Sequence, residues 1–175
     1  MRDAGRIAQH LGQTTWVAAA IAGGFAGTFA TALQLLLWWL SATDPLPRLL
    51  RDAQLTAALA MDRAILTSEP RWQWDVLFVA ALIHYALSTV YAALAFRFLR
   101  RLRIATSLLA GGGYGILIYA TNLHGFTLIF PWFSAARGWD TLLVHVVFGM
   151  AVTGACSALR SIGQRPGPTG RSGAK

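Results

Sequence analysis

Residues 15–40, TWVAAAIAGGFAGTFATALQLLLWWL, decide the fold: 26 residues without one Asp, Glu, Lys or Arg. At about 1.5 Å per residue an uncharged helix of that length exceeds a hydrocarbon core of about 30 Å. Three more such segments follow. Val76–Phe96, Ala105–Phe130 and Leu142–Leu159 are also free of those four residue types, and all four predict transmembrane helices. The first run follows Arg2 and Arg6 as a signal peptide would, but it is too long for one and is read as a retained span. Composition agrees. The 175 residues are 55% hydrophobic and 13% charged, with a mean hydropathy of +0.50, too apolar for an ordinary soluble domain. The expected fold class is therefore an all-α membrane protein with four transmembrane helices.

Charge fixes an expected direction. The segments 1–14, 97–104 and 160–175 sum to +9, whereas 41–75 and 131–141 sum to −1. The positive-inside rule then puts both termini in the cytoplasm: a cytoplasmic segment 1–14, a bundle over 15–160 and a Gly/Pro/Ser/Arg-rich, disordered tail over 161–175. Trp38, Trp39, Trp72, Trp74, Trp132 and Trp139 fall at the outer span ends, where aromatic rings favour the headgroup layer. The net charge of +8 is spread between apolar runs, not gathered on a soluble basic face, so no nucleic-acid partner is expected.

The first outer connection has structure of its own. Asp44-Pro45 supplies an N-cap and a first-turn proline, and Leu46, Leu49, Leu50, Ala53, Ala57, Met61 and Ile65 recur at helical spacing. This predicts an amphipathic helix over 45–66, either flat on the outer surface or packed on the span ends.

Small residues mark the faces on which the spans meet. Gly23 and Gly27, and Gly111 and Gly115, form GxxxG pairs, which let helix backbones approach in lipid. The first stripe continues to Gln34 and the third to Asn122; His84, Ser88 and Tyr91 share a face, as do His145, Gly149, Thr153 and Cys156. Gln34, His84, Asn122, His124 and His145 all fall in the outer half and form an expected polar layer. Such groups need partners or water in hydrocarbon. They serve as interhelical hydrogen-bonding groups, as ligands of a metal ion or haem through His84 and His145, or as part of a small-solute or proton pathway. His124 lies about 200° around the helix from Asn122, so the two cannot both face one centre. Arg97, Arg100, Arg101 and Arg103 form a cluster suited to lipid headgroups. There is no GxSxG, HExxH or P-loop, and the lone Cys156 excludes an internal disulfide.

Four features together, the small-residue span around Gly23–Gly27, the Asp44-Pro45 connection, the His84-centred second span and the Phe130-Pro131-Trp132 turn before His145, resemble the YagU-like inner-membrane proteins of bacteria and related small proteins often labelled sodium:proline symporter. The likeness covers most of 15–158 and implies a small bacterial inner-membrane protein; it carries over no site residue. The expectation is a non-enzymatic protein in the lipid bilayer, a homo-oligomer or the accessory subunit of a larger membrane complex.

Overall fold

The computed structural model describes residues 2–99 and 104–163, with side chains placed for 16–98 and 106–158. Every regular element among them is helical: α1 (Arg2–Leu40), α2 (Pro45–Ala57), α3 (Trp74–Leu99), α4 (Ile104–Ala120) and α5 (Trp139–Gly163). Three stretches, Trp16–Leu40, Trp74–Phe98 and Trp139–Ala158, are long and apolar enough to cross a membrane.

The bundle is packed with its small residues inside. Ala19, Ala22, Ala26 and Ala30 of α1 and Ala92 and Ala95 of α3 are buried, whereas Val17, Ile21, Phe25 and Phe29 are exposed at an i, i+4 spacing along the outside of α1. A soluble bundle has the reverse arrangement, large side chains in and polar ones out; small residues at helix contacts and large apolar ones facing outward suit lipid. Glycines set the closest approaches. A methyl group on Gly23 would lie 2.5 Å from the Ser88 carbonyl oxygen of α3, and one on Gly115 would overlap the His145 carbonyl of α5. Gly149 of α5 meets Gly111 and Gly115 of α4 in return. Each GxxxG pair thus seats one neighbour, α1 against α3 and α4 against α5.

The segment 105–130 is not one regular helix. After α4 ends at Ala120 the chain makes a π turn over Thr121–Gly125 and a 3-10 turn over Phe126–Leu128. Pro131 explains where the run stops, because its ring clashes with the Thr127 carbonyl four residues back and pushes Phe130 out of helical geometry, to φ −121° and ψ 75°. The carbonyls released by the break are taken up by side chains: Arg137 Nε donates to Leu123 O at 2.7 Å and Thr127 Oγ1 to His124 O at 2.8 Å. Arg137 therefore holds this turn and is not spent on Asp140.

The helix expected over 45–66 also stops early, at Ala57, and resumes as a 3-10 turn over Arg63–Thr67. Asp44 caps its start, accepting from Leu46 N at 3.1 Å. Buried Gln54 and the Arg51 guanidinium fold the chain back: Gln54 Nε2 donates to Ser68 Oγ at 3.2 Å and Arg51 Nη1 to Leu66 O at 2.8 Å. The helix packs on the bundle, with Ala53 and Ala57 against Val76 and Ala80 of α3, and Trp132 Nε1 donating to Leu55 O at 3.0 Å. Arg100, Arg101 and Arg103, and the tail from residue 164, lie outside the described residues; Arg97 is exposed, its guanidinium 5.8 Å from the Phe98 ring centroid.

Candidate functional site

Parts of α1, α3 and α5, the α4 break and the underside of α2 line a half-open cavity of about 530 Å3, within the range of about 300–1,000 Å3 common to small-molecule sites. Each helix brings its polar stripe to it. Gln34 comes from α1, His84, Ser88 and Tyr91 from α3, Asn122 from the π turn and His145 from α5. The rest of the wall is apolar, with Leu49 and Leu55 of α2, Phe130 and Phe133 of the turn, and Phe148 of α5.

Four of the five residues expected in a polar layer are therefore brought together and one is not. His124 is exposed and stands edge-on to Tyr119, ring centroids 5.6 Å apart, while Tyr119 makes the same contact with His145 on its other side. Asn122 lines the cavity and His124, about 200° further round the chain, faces away from it, as their spacing predicts.

The inner groups are held by specific bonds. Tyr91 Oη donates to Asn122 Oδ1, and Tyr114 Oη to the Tyr91 carbonyl at 2.8 Å. His145 Nδ1 lies 2.8 Å from the Thr141 carbonyl, four residues back on its own helix. That contact places the proton on Nδ1 and leaves Nε2 as an acceptor. Among the described residues His84 Nε2 has no hydrogen-bond partner, and it lies so close to Gly27 that a methyl there would sit 3.0 Å from it. His84 and His145 share the cavity wall, but no three His, Cys, Asp or Glu side chains among the described residues converge as a metal cage.

The mouth of the cavity depends on residues whose role the sequence hides. Trp38 is buried, not part of an interfacial girdle, and its Nε1 donates to Asp140 Oδ2 at 2.9 Å beside Gln34 Nε2 at 3.0 Å. Gln34 and Trp38 are one helical turn apart on α1, which is the signal that could have paired them with a carboxylate. Asp52, on the inner side of α2, has its carboxyl pushed up to about 6, chiefly by burial and then by Asp140, with Arg48 and Arg51 pulling the other way.

No family model matches the chain, and neither a curated protein nor a solved structure gives a significant match.

Proposed function

We propose that this chain is a four-span protein of the bacterial inner membrane that binds a small amphiphilic molecule, acting as an oligomer or as the accessory subunit of a larger complex. The observation that carries the reading is the convergence of polar groups from α1, α3, α5 and the α4 break on one apolar-walled cavity. Four half-buried amides and imidazoles on one cavity, with no catalytic set among the described residues, serve binding better than chemistry. The fourth span is supported by length. Together α4 and its π turn cover residues 104–125, 22 in all, or about 33 Å at 1.5 Å per residue. Charge asymmetry supports cytoplasmic termini, which puts the cavity and α2 at the outer side.

Native mass spectrometry of protein extracted from its own membranes in mild detergent tests the reading. A small-molecule adduct on wild type is expected, and its loss in Ala81→Phe. Ala81 lines the cavity yet is exposed, so Phe there takes up cavity volume without overfilling the core. A monodisperse, adduct-free monomer indistinguishable from Ala81→Phe overturns the proposal.

A further inference from the structure

A second hollow of about 330 Å3 adjoins the cavity and shares Trp38, Asp52, Ala136 and Thr141 with it. Its walls carry Arg48 and Arg51 of α2, Arg137 of the turn before α5, Asp52 and Asp140. We infer that the two compartments form one site for a single-chain amphiphile with an anionic head, a carboxylate or a phosphate monoester: the chain lies in the larger cavity and the head meets the arginines. The inference rests on the binding reading above and names its ligand class.

Charge and geometry select the head. Three guanidinium groups face two carboxylates there. Asp140 Oδ2 accepts N–H bonds from Gln34 and Trp38. At pH 7.5 Asp52, at about 6, is ionised as well, so the mouth carries one positive charge in excess. Two of the three arginines are fixed in position by bonds to backbone: Arg51 Nη1 to Leu66 O and Arg137 Nε to Leu123 O. Each keeps further N–H groups, since a guanidinium has five. The third, Arg48, is exposed and lies over the Trp38 ring at 6.0 Å, which leaves its donor edge open. A cationic head would be repelled by this arrangement, and an uncharged one would leave its donors unused. Guanidinium matches carboxylate and phosphate oxygens in pairs. Deeper in, apolar side chains predominate, Leu49, Leu55, Phe130, Phe133 and Phe148 among them, which suits a hydrocarbon chain.

The test uses the full chain in phosphatidylcholine nanodiscs at pH 7.5, with displacement of a fluorescent fatty acid by palmitate, a lysophosphatidate with a palmitoyl chain, and hexadecanol. One or both anionic ligands are expected to bind at least about tenfold tighter than hexadecanol, the tighter of the two identifying carboxylate or phosphate as the head. Arg48→Gln should weaken the anionic ligands about tenfold and leave hexadecanol unchanged, with Arg48→Lys, which keeps the charge but not the paired donors, falling between. Because Arg48 is exposed, its replacement leaves the packing of α2 intact. Equal affinity for palmitate, lysophosphatidate and hexadecanol overturns the anionic head while keeping the cavity. An adduct in native mass spectrometry that none of the three displaces overturns this ligand class while the binding function stands.

Discussion

At the scale of single residues, glycine decides which helices touch. A side chain on Gly149 would meet the Gly111 carbonyl and come within 2.7 Å of the Gly115 amide nitrogen, so α4 and α5 would have to separate. Gly113, two residues from Gly111 on the same helix, has nothing within 4 Å of an added methyl. The pair makes a controlled comparison. Gly149→Val should cost about 3 kcal/mol through overfilling of the contact and give a lower midpoint of thermal unfolding in detergent, followed by circular dichroism. Gly113→Ala should hold or slightly raise that midpoint, since alanine is the better helix former. Equal losses from both would mean that the glycines act through chain flexibility and not through contact. Trp38 teaches a related lesson. Next to exposed Trp39, it is buried because its indole N–H has Asp140 as a partner, and the neighbouring ring has none in the interior.

The elements show a division between what repeats along the chain and what depends on distant residues. The break after Ala120 is held from outside by Arg137, which donates to Leu123 O and, at 2.8 Å through Nη2, to Thr127 Oγ1. Arg137→Gln should therefore loosen 121–137, with amide exchange protection there falling by about 1–2 kcal/mol while α1 and α3 keep theirs. Unchanged exchange in 121–137 would show that Pro131 alone fixes the turn. The long apolar runs and both GxxxG faces were legible in the sequence, because hydrophobicity and i, i+4 spacing are local properties. Counting along each helix also set Gln34, His84, Asn122 and His145 at similar depth, and the four line one cavity. The end of α2 at Ala57 was not legible. Met61 and Ile65 continue the helical period past it, and the fold-back depends on Gln54 reaching Ser68 and Arg51 reaching Leu66. His124 joined the layer by depth alone, and its separation of about 200° from Asn122 already set it on another face. Asp140 reads as a charge in the outer connection because its partners, Gln34 and Trp38, lie on another helix.

For the whole molecule, α2 matters as the element that covers the cavity and brings charge to its mouth, and Asp52 links that cover to pH. The carboxyl faces Asp140 from α5 and Arg48 and Arg51 from its own helix, with Arg137 in the same hollow. Its folded-state value of about 6 stands above the ordinary 3.8, so between those values the folded chain binds more protons than the unfolded one. Folding is then favoured at low pH, and this contribution is lost as pH rises from about 4 through 6, by on the order of 1–3 kcal/mol. Asp52→Asn keeps the shape and removes the titration. It should match wild type near pH 4, exceed it in unfolding free energy at pH 7.5, and flatten the profile between. The same proton couples to the ligand. An anionic head beside Asp52 favours the protonated carboxyl, and by reciprocity protonation favours the head. In unbuffered solution, occupation of the wild-type site by lysophosphatidate at pH 7 should therefore draw protons from the medium, and Asp52→Asn should abolish the part of that uptake which the phosphate itself does not account for. A stability profile for Asp52→Asn parallel to that of wild type would mean that the Asp52 carboxyl is open to solvent and that α2 does not close over the mouth.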